Sequence, residues 1–248
     1  MNKNFTNNNS IYTKLIAFTL AEVVLVMAII GIVGVLAVTN ARKDTDVAEK
    51  VAQLRKSYQI IESAFSAAVT DNGTIETWGS GNYPTSAEVW DVVSPYFKLE
   101  KNCGTNSGCW KDGKPYGLDG EETTYNINSS DIFEKAVLVS GVSISLTTNS
   151  LFDNHGDEIA DIFVDVNGIK GLNIYGNDIF GFQVYNDGSV VPFNLAVGSG
   201  NKKPIDSPGT SCLQIGVYCT AWVLKFGNMD YLKDCADSLN WESKSTCK

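Results

Sequence analysis

The chain has 248 residues, 44% of them apolar and 19% charged, which are the proportions of a globular protein and not of a disordered one. That length can bury a substantial core and allows one large domain or two small ones. The formal charge is −9, and no Lys/Arg cluster is present to neutralise phosphates, so the composition argues against nucleic acid as a partner.

The first predicted element is an apolar helix. Phe18 to Val38 is a run of 21 residues with one charge, Glu22. At 1.5 Å per residue it spans about 30 Å, one hydrocarbon core. A cleaved secretory signal would have a shorter apolar stretch and a small-x-small site. An ordinary signal anchor fits the length but explains neither Glu22 nor the abrupt start after a polar, Asn-rich leader. An isolated carboxylate in such a helix costs roughly 2.5–3.5 kcal/mol on insertion scales, so a partner for it is expected. Gly31 and Gly34 permit either local unwinding or close helix approach. Lys3 and Lys14 precede the run and Arg42 and Lys43 follow it, so the charge balance does not set its orientation.

Lys14-Leu15-Ile16-Ala17 followed by Phe18-Thr19-Leu20-Ala21-Glu22-Val23-Val24-Leu25-Val26 closely resembles the processing site of type IV pilins and type II secretion pseudopilins. The resemblance implies that prepilin peptidase/N-methyltransferase, a membrane aspartic peptidase, cuts between Ala17 and Phe18 and methylates the new amine. The family usually has Gly before the cut, where this chain has Ala17. Removing residues 1–17 takes away Lys3 and Lys14 and leaves a charge of −11. The freed α-amine has a reference pKa of about 7.7–8.0 and is largely protonated at neutral pH. The resemblance further implies that Glu22 pairs with the amine of a neighbouring subunit. The other partners it implies are pilin or pseudopilin subunits and the inner membrane. The location is then a single-pass inner-membrane protein with an extracytoplasmic head, later part of a periplasmic pseudopilus or a surface pilus.

Beyond the apolar run, Val47, Val51, Leu54, Tyr58, Ile61, Phe65 and Ala68 recur at steps of 4 and 3, one helical face held over six turns. Asp46, Lys50, Lys56, Gln59 and Ser63 lie opposite. A coiled coil would show the same seam, but a globular region follows directly and needs a helix to cover it. Asp71-Asn72-Gly73 is the expected stop.

In the head, Thr85 with Glu88 is a capping box opening a short helix to about Val93. Cys103 to Gly120 reads as a disulfide-pinned loop. Strands are expected over Ala136–Leu146, Ile159–Val166, Ile179–Tyr185 and Ser189–Phe193, the last two joined by the hairpin signal Asn186-Asp187-Gly188. Tyr218 to Phe226 fits helix or strand, and a Pro/Gly loop is expected at Ser207–Gly209. The stretch from Asp165-Val166-Asn167-Gly168 to Asn177-Asp178-Ile179-Phe180 looks like a segment of many bacterial prepilin-like proteins, although Asn167-Gly168 is also a natural turn pair. The expected fold class is α+β and pilin-like: a leader (1–17), a membrane or filament-core helix (18–38), an amphipathic stalk (39–71) and a disulfide-bonded head (72–248) with an antiparallel sheet of about four strands.

The six cysteines are Cys103, Cys109, Cys212, Cys219, Cys235 and Cys247. An even number downstream of a membrane segment reads as three disulfides in an oxidising space. Irregular spacing, no C-x-x-C and one histidine argue against zinc. Pairing each cysteine with its neighbour in sequence is the simplest of 15 connectivities.

Catalysis has little support. His155, the single histidine, sits in a turn-like Asp153-Asn154-His155-Gly156-Asp157. No phosphate or dinucleotide loop is present, and no cofactor is expected unless calcium is bound. Asp153, Asp157, Asp161 and Asp165, with Asn154 and Asn167, offer hard oxygens for calcium, without EF-hand spacing; the alternative is an acidic solvated loop. The function expected is a structural subunit of a pilus or secretion pseudopilus, and the rival is a membrane-anchored binding or adhesion protein that does not polymerise.

Overall fold

The computed structural model describes residues 20–81, 83–148, 158–193, 195–198, 201–204, 212 and 216–247. The chain divides into two units, residues 1–45 and 46–248. Helix α1 (Leu20–Asn72) runs through Gly31 and Gly34 without interruption and supplies residues to both units.

The larger unit is α+β. Six strands form one antiparallel sheet in chain order: β1 (Leu99–Gly104), β2 (Glu134–Leu138), β3 (Ser143–Thr147), β4 (Glu158–Asp165), β5 (Ile179–Tyr185) and β6 (Val190–Pro192). A separate hairpin pairs β7 (Leu195–Gly198) with β8 (Asn201–Pro204). The sheet therefore has two strands more than the four expected. Ala136–Leu146 is a hairpin and not one strand. Its turn closes through the Gly141 N–H donating to Leu138 O at 2.8 Å, with Gly141 at φ +83°, a conformation that favours glycine. The other addition, β1, is a polar edge strand that takes in Cys103 at the start of the expected loop.

One face of the sheet packs on the second half of α1. Val51, Leu54, Ile61, Phe65 and Ala68 are buried against Ala136, Ile144, Ile162, Val164, Phe180 and Val184. Tyr58 stacks on Phe182 at 5.4 Å and donates its hydroxyl to Val190 O. Within this unit the seam meets the chain's own sheet, the alternative expected from the globular region that follows it and not a coiled coil. Lys50, expected on the solvated side, is instead mostly covered and donates to Asn177 Oδ1 at 3.0 Å. The α1 end is closed by the Gly73 N–H bonding to Val69 O. The β5–β6 turn lies against this last turn of α1. A Cβ on Gly188 (φ +78°) would meet Val69 Cγ2 at 2.7 Å, so only glycine satisfies both the turn and the packing.

The opposite face is covered too. Cys103, Cys109, Trp110, Phe133, Tyr175, Phe193 and Val217 bury Phe163 and Ile179. Burial on both faces explains why β4 and β5 read as near-continuous apolar runs. Tyr218–Phe226 resolves as helix: Val217–Cys219 forms a 3-10 turn and Thr220–Phe226 forms α3.

Helix α2 (Ser86–Val93) starts on the expected capping box. The Glu88 N–H donates to Thr85 Oγ1, and the Thr85 N–H donates to Glu88 Oε2 at 2.9 Å. The N–H of Thr85, the N–H and hydroxyl of Ser80 and the Thr85 hydroxyl hold the Glu88 carboxyl down to about 2. Thr85→Ala is expected to cost about 1 kcal/mol, lowering the melting midpoint by about 2–4 °C in calorimetry.

Candidate functional site

Two features of the chain carry chemistry that packing alone does not require. The first is the start of α1. Leu20, Val24, Leu25, Val26, Met27, Ile29, Ile30 and Ile32 are all exposed, Leu20 at 82%, Met27 at 68% and Ile30 at 65%. These positions surround the helix axis, so this is no amphipathic stripe but a rod apolar on all sides. Helices apolar all round are generally found covered, in a protein core, in a bilayer or by other chains. Glu22 is the acidic residue in the first described turn and is exposed among these side chains. Among the residues whose side chains are described, no helix is long and apolar enough to cross a membrane. The apolar run of the sequence continues through residues 33–38, whose side chains lie outside the described residues. Ala17 and Phe18 also lie outside them.

The second feature is the β4–β5 connection. Asp165 ends β4 and Asp178 immediately precedes β5, and both are buried. Asp165 Oδ1 accepts the Asn167 N–H at 3.1 Å. Asp178 Oδ1 accepts the Ile174 N–H at 2.6 Å, and its Oδ2 accepts from Asn167 Nδ2 at 3.3 Å. Burial first, then the neighbouring Asp178 charge, pushes the Asp165 carboxyl up to about 8, against the Asn167 and Gly168 N–H groups and Lys50. Burial raises Asp178 to about 6 against the Ile174 N–H, Lys50 and the Asn167 amide. Lys50 reaches this connection from α1 through Asn177 while also pairing with Asp46 at 3.1 Å.

Of the four acids expected as calcium ligands, Asp153 and Asp157 lie outside the described residues, as do Asn154 and His155. Asp161 and Asp165 both lie on β4. Four residues along a strand span about 13 Å, too far for one ion to bind both. Among the described residues, no group of three or more His, Cys, Asp or Glu could hold a metal. Asp178 and Lys50 join Asp165 in space without having been singled out as its partners; the only sequence signal for Asp178 was its place at the end of the Asn167-Gly168 segment.

Disulfides join Cys103 to Cys109, Cys212 to Cys219 and Cys235 to Cys247, so no thiol is free. The first fastens the loop over the sheet, where the Ser143 hydroxyl donates to Cys109 O and Trp110 Nε1 donates to Ile144 O. Comparisons with models of protein families, with curated proteins and with solved structures find no match to this chain.

Proposed function

We propose that this chain is a prepilin-like structural subunit of a type IV pilus or type II secretion pseudopilus, processed by prepilin peptidase and assembled through its N-terminal helix. The observation that carries the reading is the rod beginning at Leu20, apolar around its circumference and bearing the carboxylate of Glu22. Lipid covers such a rod before assembly, and the rods of other copies cover it afterwards. The processing-site resemblance at Ala17–Phe18 supports the same reading, because cleavage there creates a cationic amine one helical turn from Glu22. Intersubunit pairing of amine and carboxylate places a neutralised couple, rather than a net charge, in the apolar medium. The α+β head, cross-linked by disulfides, suits an oxidising space outside the cytoplasm.

Mass spectrometry of the protein from its native host is expected to find N-methylated Phe18 as the first residue. A retained leader overturns the reading. Glu22→Ala is expected to reduce incorporation into sheared fibres or a periplasmic pseudopilus by at least about tenfold, with the head still folded. Unchanged incorporation would count against the pairing. A protein that stays in the membrane fraction and enters no polymer, whatever stands at position 22, is the anchored binding protein instead.

A further inference from the structure

We propose that the β4–β5 connection is a lipid-docking surface, on which Ile169 and Leu172, with Leu232 beside them, enter the interface of the bilayer that holds the N-terminal helix. The inference rests on the membrane anchorage in the proposed function and is independent of polymerisation.

Among the described residues after Asp46, the large aliphatic side chains left exposed are Val139, Ile169, Leu172 and Leu232, with Ile169 at 62% and Leu172 at 61%. They gather at one place. Leu172 and Leu232 line one open cavity with Leu118 and Asn177, and Ile169 stands three residues before Leu172 on the same exposed turn. Val139 tips the β2–β3 turn, which touches this connection: a Cβ on Gly168 would meet Gly141 O at 2.5 Å. Contiguous exposed aliphatic surface marks an interaction site, whereas scattered single residues do not.

Lys50 fixes where the patch sits on the head. It donates to Asn177 Oδ1 at 3.0 Å, and Asn177 lines the same cavity as Leu172. The far end of α1 lies against the β5–β6 turn, where Val69 meets Gly188. The patch is therefore at the end of the head where the chain arrives from the apolar run. Lys50 is twelve residues beyond Val38, about 18 Å of helix. Arg42 and Lys43, whose long side chains suit the headgroup layer, are nearer still: Lys50 follows Lys43 by seven residues, about 10 Å of helix. So short a tether keeps the patch within reach of the lipid surface whatever direction the head takes, and it raises the local concentration of one at the other. The charges around the patch favour neutral lipid. Lys170 is exposed, Lys233 pairs with Asp230 and Lys111 donates to Gly171 O, while Asp119, Glu121 and Glu122 stand exposed on the cavity's rim beside Leu118 and Gly120. No cationic field attracts anionic headgroups, so the contact is apolar insertion and insensitive to salt.

The test uses the full chain in phosphatidylcholine vesicles. The native cysteines are all disulfide-bonded, so Leu172→Cys and, as a control, Glu76→Cys each create a single site for an environment-sensitive fluorophore. Glu76 is exposed beside the β5–β6 turn, its N–H bonded to Asn186 Oδ1 at 2.8 Å. The label at 172 is expected to be blue-shifted and quenched by spin-labelled lipid several-fold more than the label at 76, at low and high salt alike. Adding Ile169→Asp is expected to remove most of that quenching and, at an exposed position, to leave the melting midpoint unchanged. A chain that floats with the vesicles yet is quenched equally at 172 and 76 overturns the docking alone. A chain that does not float overturns the anchorage and the docking with it. Quenching that survives Ile169→Asp also overturns the docking. A blue shift that disappears when the chains are diluted to one per vesicle overturns it too, and assigns the patch to a second copy.

Discussion

Replacing Lys135 by Met is expected to destabilise the head by about 3–5 kcal/mol, the cost of three carbonyls losing their donor, read as a fall in the denaturant midpoint at unchanged slope. Lys135 stands on β2 with none of its surface exposed, yet among the described residues no carboxylate forms a salt bridge with its ammonium. It donates instead to three backbone carbonyls: Thr105 at 2.6 Å, Ser130 at 2.7 Å and Asn128 at 3.1 Å. Thr105 belongs to the Cys103–Cys109 loop, and Asn128 and Ser130 to the turn before β2, so one side chain pins two irregular segments onto the sheet. Methionine fills similar space but leaves three acceptors without donors. Burial lowers the Lys135 pKa, while nearby Glu134 and Asp131 favour its charged form. The positive charge is therefore costly to bury, and the three carbonyls are what hold it there. Lys135→Arg is expected to fail as well, because a planar fork does not match three converging carbonyls. Wild-type stability in Lys135→Met would show that water satisfies those carbonyls equally well.

How much of this architecture the sequence discloses depends on whether a residue's role is periodic or spatial. The second half of α1 was legible because only one side of it meets the sheet, and a 3.6-residue period survives in Val51, Leu54, Ile61, Phe65 and Ala68. The capping box was legible because its chemistry is local to four residues. The β2–β3 hairpin was not, because Val139-Ser140-Gly141-Val142 carries apolar residues through the turn. Val139 stands 65% exposed at the tip and breaks the rule that apolar means buried. Strand β1 was hidden for the opposite reason: Glu100, Lys101 and Asn102 are exposed on an edge strand, and no alternation marks it.

The β4–β5 connection follows the same logic. A reading along the chain gathers Asp153 through Asp165 as one acidic stretch, but an extended strand carries successive acids away from each other. What the fold brings to Asp165 is Asp178, across the connection, and Lys50, whose hydrogen-bond partner Asn177 is 127 residues away in sequence. No local pattern encodes that distance. At α1 the opposite holds: Glu22 is conspicuous as the one charge in the apolar run from Phe18 to Val38, and that can be read from the sequence alone.

In calcium-free buffer the head is expected to lose stability as pH rises from about 4 to about 8, by an amount on the order of 3–5 kcal/mol. The sign follows from the two buried acids. Asp165 rises from 3.8 to about 8 and Asp178 from 3.8 to about 6 on folding, so the folded state holds protons that the unfolded chain has released. A carboxyl raised in this way favours folding fully below its unfolded pKa, and the advantage is lost as pH climbs through its folded value. The loss attributable to Asp178 is complete near pH 6, and that of Asp165 extends to about pH 8. Glu88 has a depressed carboxyl, so its stabilising contribution falls away only in acid, below this window. Denaturant melts at intervals across the range measure the slope. Asp165→Asn separates it from general repulsion in an acidic chain. The neutral amide titrates nowhere, so the variant is expected to show a much flatter profile and to exceed the parent in stability at about pH 8. A slope of the same size in Asp165→Asn would move its origin to the surface charge and leave the buried pair electrostatically silent.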